Sequence, residues 1–221
     1  GDIYIKKHMD GVIFAGEVDI RVIEEFRKQS IPVVLVNNYL DMDGLVCISA
    51  DHYGGAVQAT EYLCKLGHCK IGLLSGRFSP QVSEARIEGF VKTLAKYDIP
   101  VDDRFIADIE PALEDGEEIM TRMLREVDRP TAFFCTNDTI AAGAMKAVTR
   151  AGLRVPEDIA IIGFDDSYIS RVVEPELTTV RIDAAKMGCL AMQTLFDLIA
   201  GMPVEKAHIQ IPTELIVRGT A

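Results

Sequence analysis

The sequence predicts an α/β protein built on open, doubly wound parallel sheets. Short apolar runs alternate along the chain with longer stretches in which apolar residues recur every three or four positions. Several of the runs, such as 159–164, are apolar on both alternate faces, which is typical of parallel strands covered by helices on each side. Regular alternation of strands and helices favours a doubly wound sheet over a sandwich or a bundle.

The expected strands and helices follow from these patterns. Strands are predicted at 12–15, 32–36, 45–49, 71–75, 131–135 and 159–164, with weaker ones at 105–108, 178–181, 208–211 and 214–217. Helices are predicted at 17–29, 55–66, 84–96 and 138–151, and along two apolar stripes at 119–127 and 187–198.

Composition limits the classes of partner. The 221 residues carry a formal net charge of -11, so the chain should not bind nucleic acid by itself. The five cysteines are odd in number and lack metal-ligand spacing, which favours free thiols in a reducing compartment, the cytoplasm. No apolar run approaches the ~20 residues that a membrane span needs, and no membrane partner is expected.

Pairs of small polar residues follow three of the predicted strands. They are Asn37-Asn38, Asn137-Asp138 and Asp165-Asp166. Ligands of open α/β sheets bind outside the carboxyl ends of the strands, where such side chains can hydrogen-bond hydroxyl-rich or purine-like molecules. The alternative is helix capping, which Asn137 or Asp138 would provide for the helix that follows. We expect Asp165 to bind ligand, because no strong helix pattern comes directly after it.

A second candidate cluster follows the strand at 71–75. It contains Phe78, Ser83 and Arg86, with Arg86 expected in the first turn of the 84–96 helix. A guanidinium group suits a carboxylate, a phosphate or vicinal hydroxyls, and a cation at a helix N-terminus is otherwise unfavourable. A solvated surface arginine is the alternative interpretation.

The sequence does not predict an enzyme. It contains no nucleophile elbow, phosphate loop or dinucleotide fingerprint, and its four histidines are scattered. Asp165 and Asp166 do not form a catalytic pair, since adjacent residues on a strand point apart. No metal or other cofactor is expected.

The order and spacing of several short motifs resemble the lactose-repressor (LacI/GalR) family over nearly the whole chain. The motifs are Asp10-Gly11-Val12-Ile13-Phe14, Ile31-Pro32-Val33-Val34, Asp51 through Gly54-Gly55 to Leu66-Gly67-His68, Arg86-Ile87-Glu88-Gly89-Phe90, Arg129-Pro130-Thr131-Ala132, Asn137-Asp138 to Ala141-Ala142-Gly143-Ala144, Gly152 to Asp158, Ile162-Gly163-Phe164-Asp165-Asp166 and Pro175 to Val180. The resemblance implies a periplasmic-binding-protein-like core of two lobes joined by three crossing segments, with an effector bound between the lobes.

The same resemblance assigns residues to lobes and to the site. The first lobe would hold 1–50 and 183–211, and the second 51–182 and 212–221. Family binding positions carry over onto Arg86, Asn137, Asp165 and Asp51, near Phe78 and Ser83. Where the family often has an aromatic residue after the 105–108 strand, this chain has Ile109, so no stacking is expected there.

The start of the chain departs from the family. A helix-turn-helix and the first β-α-β unit of the first lobe are absent, and residues 1–8 resemble the tail of the helix before the first strand. We therefore expect a fragment whose first lobe is incomplete at its N-terminus.

The function implied by the resemblance is effector-controlled transcription regulation. A homodimer would bind operator DNA through the missing N-terminal domain, and the effector would be a sugar, with purines and sugar phosphates as less suitable alternatives. The competing interpretation is an extracytoplasmic solute-binding protein of a transport or sensing system.

Overall fold

A computed structural model describes residues 9–38, 40, 42–203 and 207–221, so the helix tail expected at 1–8 lies outside the described residues. The chain divides into two compact units. Unit 1 contains Gly1–Asp51 and Asp183–Ile211, and unit 2 contains His52–Ile182 and Pro212–Ala221. The chain therefore passes between the units three times.

The described residues of unit 1 form a parallel four-stranded sheet with two helices. Its strands, in sheet order, are β1 (Val12–Ala15), β2 (Val33–Val36), β3 (Val46–Ala50) and β9 (His208–Ile211). Its helices are α1 (Ile20–Lys28) and α6 (Ala184–Ile199). Ile23 and Phe26 of α1 pack with Val33 and Leu35 of β2, because three- and four-residue spacing on a helix and alternation on a strand each direct apolar side chains to one face.

Unit 2 is a six-stranded sheet with two helices on each face. In sheet order the strands are β10 (Glu214–Ile216), β8 (Thr178–Arg181), β7 (Ala160–Asp165), β6 (Ala132–Cys135), β4 (Ile71–Gly76) and β5 (Ile106–Ile109). All pairs are parallel except that of β10 with β8. The helices are α2 (His52–Lys65), α3 (Pro80–Lys96), α4 (Leu113–Met123) and α5 (Asp138–Arg150). One apolar core lies under α2 and α3 and another under α4 and α5.

The predicted fold class is confirmed, and two details of the helix predictions are wrong. The stripe predicted to 127 ends sooner, because α4 stops at Met123 and Val127 is fully exposed. Helix α3 begins at Pro80, a residue well suited to a first helical position, so Arg86 lies in the second turn and not the first. Among the described residues, no helix is long and apolar enough to cross a bilayer.

The strand order of unit 2 contains a switch point at β4. β4 pairs with β5 on one side and with β6 on the other. The connection from β4 to β5 and the next one, from β5 to β6, therefore run in opposite directions across the sheet. In doubly wound sheets the crevice at such a switch point, outside the carboxyl ends of the strands, is where ligands bind. The side chains that follow β4, β6 and β7 are therefore the ones to consider.

Candidate functional site

Strands β4 and β6 are joined at the switch point by hydrogen bonds around Thr136. The Thr136 hydroxyl accepts a hydrogen bond from the backbone N–H of Gly76, at 2.7 Å, and the Thr136 N–H donates to the Leu74 carbonyl. The Thr136 carbonyl accepts a hydrogen bond from Nη1 of Arg86. The guanidinium of Arg86 is thus fixed to the backbone where the two strands end.

Arg86 is buried among aromatic and polar groups. The residue is 3% exposed, and its Cζ lies 3.9 Å from the ring centroid of Phe164 and 5.0 Å from that of Phe78. Its Nη2 lies 3.2 Å from Nδ1 of His52 and 3.2 Å from Oδ1 of Asp165. A cation stacked on aromatic faces and held by hydrogen bonds loses little further freedom when a ligand binds.

His52, the first residue of α2, supports Arg86 as a neutral ring. Burial, followed by the charge of Arg86, lowers the pKa of His52 to about 3. A neutral imidazole has one acceptor nitrogen, so Nδ1 accepts from Arg86 and the ring proton resides on Nε2.

Asp165 ends β7 with its carboxylate toward Arg86. Its backbone has φ +106°, a conformation uncommon for any residue other than glycine, and its side chain is 38% exposed. Loss of water around the carboxylate raises the pKa of Asp165 to about 6; the charge of Arg86 opposes this rise and that of Asp138 adds to it. At neutral pH the side chain is a partly exposed carboxylate beside a buried cation.

Asp138, the first residue of α5, is a second acid near this edge. It is 1% exposed, its Oδ1 accepts from the Thr179 hydroxyl, and its Oδ2 accepts from the Ser167 N–H at 2.6 Å. Burial raises its pKa against the effect of these hydrogen bonds. A Cβ at Gly163 would lie 2.4 Å from Oδ1 of Asp138, so glycine is required there for the two to approach.

The structure gives other predicted site residues local roles. The Asn137 side chain caps α5 by accepting from the Ile140 N–H at 2.8 Å. Ser83 accepts from the Phe78 N–H at 3.2 Å, which holds the Phe78 ring near Arg86. Asp51 belongs to unit 1, where its backbone N–H donates to the Ile211 carbonyl at 2.9 Å.

Within unit 2 the structure therefore brings together Arg86, Asp165 and Phe78. Two members of the cluster, His52 and Thr136, were not predicted. Thr136 stands directly beside the predicted Asn137 at a strand end, and that adjacency is the signal that could have found it. Phe164, an aromatic residue next to Asp165 at the end of β7, faces the guanidinium of Arg86. His52 follows the predicted Asp51, but its partner Arg86 lies 34 residues away, so no local pattern indicated the pair.

The arrangement is suited to binding and not to bond-breaking chemistry. A carboxylate that is partly exposed can accept hydrogen bonds from ligand hydroxyls, and charge-assisted bonds of this kind are roughly twice as strong as neutral ones. Among the residues that the structure describes, no group of three or more His, Cys, Asp and Glu side chains could hold a metal ion.

Comparisons with known proteins agree with the fold. The family model of a periplasmic binding protein-like domain matches residues 60–221. The Probable HTH-type transcriptional repressor ExuR of Bacillus subtilis is 35% identical over 95% of this chain, which spans 63% of that repressor. A LacI-family regulatory protein from Chloroflexus aggregans superposes with a TM-score of 0.87 at 31% identity, covering 96% of this chain and 76% of that one. A LacI-family regulator from Enterococcus faecium with bound ribose superposes with a TM-score of 0.85 at 27% identity, covering 96% of this chain and 79% of that one.

Fold and family match together define a periplasmic-binding-protein-like domain. The similarity to solved regulators extends to the sequence as well as the fold. The chain belongs to the LacI family. The relatives are named as repressors, which confirms the expectation that the chain is not an enzyme.

Proposed function

We propose that this chain is the effector-sensing part of a LacI-type transcriptional regulator and that a sugar binds at the carboxyl edge of the unit 2 sheet. The Arg86–Asp165 pair carries the proposal. The cation of this pair, Arg86, is buried and fixed. The side chain of its acid, Asp165, is 38% exposed at the carboxyl end of β7, on the same edge of the sheet as the switch point. A carboxylate presented in this way is available to a ligand without rearrangement of the core.

Charge favours a neutral polyhydroxylated ligand. The negative charge of Asp165 offsets the positive charge of Arg86, whose Nη2 lies 3.2 Å from Oδ1 of Asp165. The buried acid Asp138 lies near and adds to the negative charge felt by Asp165. A phosphate group would meet this negative charge, whereas sugar hydroxyls can donate to Asp165. The related regulator with bound ribose also supports a sugar. Purines and sugar phosphates are the alternatives.

A regulator is favoured over an extracytoplasmic solute-binding protein because the relatives are named transcriptional repressors. We propose a cytoplasmic homodimer that binds operator DNA through another part of the full regulator, since the net charge of -11 in this chain opposes DNA binding. Effector and operator would be coupled by about 1–3 kcal/mol. Sedimentation of the full-length protein tests the dimer, and a monomer at high concentration would count against it.

A thermal-shift screen of monosaccharides, disaccharides, purines and sugar phosphates tests the ligand class. A ligand present at about 100 times its Kd stabilises the fold by ~2.7 kcal/mol, which is readily seen as a rise in Tm. We expect a rise with one or more neutral sugars. A rise confined to purines or to phosphorylated sugars would show that the proposed ligand class is wrong.

Substitution at Asp165 then tests the site with the sugar that the screen identifies. Asp165→Asn keeps the size of the side chain and removes its charge, so binding should weaken by about 1.5–3 kcal/mol. The matched control is Asp158→Asn, because Asp158 pairs with Arg154 on the exposed surface of the same unit and should not affect affinity. In the full-length regulator, Asp165→Asn should preserve operator binding and weaken the effector response. Unchanged sugar affinity in a folded Asp165→Asn protein would exclude this site.

A further inference from the structure

Asp166, the neighbour of Asp165, lies at the centre of a buried ion network. Its side chain is 3% exposed. Nε of Arg181 lies 2.7 Å from its Oδ2, the Ser170 hydroxyl lies 3.0 Å from its Oδ1, and Nη2 of Arg218 donates to the same Oδ1. The two adjacent carboxylates therefore point to different partners, as expected for neighbours at a strand end.

Arg218 is itself anchored by bonds that do not involve Asp166. Its backbone N–H donates to the Thr178 hydroxyl at 2.9 Å, and its Nη1 donates to the Leu177 carbonyl at 2.8 Å. Its side chain is 11% exposed. The guanidinium is consequently a fixed point against which Asp166 is held.

The backbone of the two aspartates needs such a restraint. Asp165 has φ +106° and Asp166 has φ +51°, so two successive residues with side chains occupy the region that favours glycine. Each such residue is strained and persists only where surrounding contacts enforce it. The hydrogen bond from the Ser167 N–H to Asp138 restrains the following residue, and the ion network restrains Asp166.

We propose that Asp166 and Arg218 are positioning residues: their ion pair holds the left-handed turn that directs the Asp165 carboxylate at Arg86. The inference rests on the proposed function for the role of Asp165 as a ligand-binding group. It assigns to the segment that follows β10 a part in forming the site, through the bond of Arg218 to Asp166.

The charges around the two acids provide a direct readout. Asp165 faces Arg86 from α3 and Asp138 from α5, and its pKa is raised to about 6, chiefly by burial. Burial also acts to raise the pKa of Asp166, but hydrogen bonds from Arg218, Arg181 and Ser170 outweigh it and hold that pKa below its usual range. If the turn relaxes, the Asp165 carboxylate gains water and its pKa should fall.

The experiment is a carboxyl carbon-13 NMR titration of Asp165 in the 221-residue chain without ligand, with Asp165→Asn used to assign the signal. In Arg218→Met we expect the pKa of Asp165 to fall by about one pH unit or more toward its ordinary value. Removing a cation from an otherwise unchanged structure would act in the opposite direction and raise this pKa, so the sign separates positioning from simple electrostatics. An unchanged or raised pKa overturns the proposal.

Arg171→Met is the matched control. Nη2 of Arg171 lies 3.9 Å from Oδ2 of Asp166, and the Arg171 side chain is 62% exposed. Its removal should therefore leave the pKa of Asp165 unchanged within error. Should Arg218→Met fail to fold, Ser170→Ala decides, because the Ser170 hydroxyl bridges Asp166 and Arg218. A smaller fall is then expected, and no fall overturns the proposal. Because the titration uses no sugar, its failure is distinguishable from failure of the proposed ligand class.

Discussion

Two ion clusters at the end of β7 use the same chemical groups in opposite ways. In the Arg86 cluster (Arg86, His52 and Asp165) the cation side chain is 4% exposed and the carboxylate 38%. In the Asp166 cluster (Asp166, Arg218, Arg181 and Ser170) the carboxylate is 3% exposed. The pKa of Asp165 is raised to about 6, whereas that of Asp166 is lowered despite burial, because protein donors surround it.

The difference separates the proposed binding group, Asp165, from a structural one, Asp166. Protein donors occupy both oxygens of Asp166, so a ligand would gain little there. Among the described residues, Asp165 accepts from Arg86 through Oδ1, and solvent reaches the rest of the carboxylate. Adjacent identical residues thus acquire different roles from the number of donors that the fold supplies.

The largest expected effect comes from disrupting the Asp166 cluster. Asp166→Asn removes the buried countercharge of Arg218 and Arg181, which keep exposed acids, Glu176 at 3.6 Å and Glu214 at 3.8 Å. Breaking a buried ion pair in this way costs about 3–5 kcal/mol. Urea unfolding should show this loss of stability, while Asp158→Asn on the surface changes it little. A minor loss in Asp166→Asn would break the comparison, because both acids would then be dispensable to the fold.

A smaller effect is expected at Asn137, the polar strand-end residue whose side chain caps α5. Asn137→Ala removes the acceptor for the Ile140 N–H and should lower the free energy of unfolding by about 1 kcal/mol. Asn137→Asp, which keeps an acceptor, should restore most of that stability. If Asn137→Ala instead abolished the sugar-induced rise in Tm and left stability intact, Asn137 would belong with Asp165 as a binding group.

A third effect is expected in the pH dependence of stability, at Asp165. Its folded pKa of about 6 lies above the ordinary value of 3.8, so the folded state binds the proton more tightly. This stabilising contribution is complete at low pH and is lost as the pH rises through about 6. Asp165→Asn does not titrate, so its stability relative to the wild type should rise between those two pH values and then remain constant.

Urea unfolding of both proteins at a series of pH values measures this difference. His52, whose pKa is lowered to about 3, titrates in both proteins, and its contribution largely cancels in the comparison. A relative stability that falls over the same range would mean that attraction to Arg86 outweighs burial, and the contrast between Asp165 and Asp166 would then disappear.

Much of the architecture could be predicted because it depends on local periodicity. The predicted strands appear within a residue or two of their expected ends, and the fold class follows from their alternation with helices. The start of α3 was missed although Ser79-Pro80 is a recognisable helix beginning. The last turn predicted for α4 was wrong because Val127 continues the apolar spacing after the helix has ended.

The site was only partly predictable because its pairings are distant in sequence. Asp165 was proposed from its position after an apolar strand, which is a local signal. Its partner Arg86 lies 79 residues away, and Arg218 lies 52 residues from Asp166. Neither spacing has a pattern, and the positive φ angles of Asp165 and Asp166 have no sequence signature, since glycine is the residue expected there.

The course of the chain has a consequence for folding during synthesis. Unit 2 includes 212–221, which a ribosome makes only after 183–211 of unit 1. The Ile161 N–H in β7 donates to the Thr220 carbonyl, and the Thr220 hydroxyl donates back to the Ile161 carbonyl. The sheet of unit 2 therefore cannot acquire its full set of bonds until these last segments have emerged. In a nascent chain that is stalled before Arg218, the turn at Asp165 would still lack its anchor, so this turn can be completed only after the segment that follows β10 has been made.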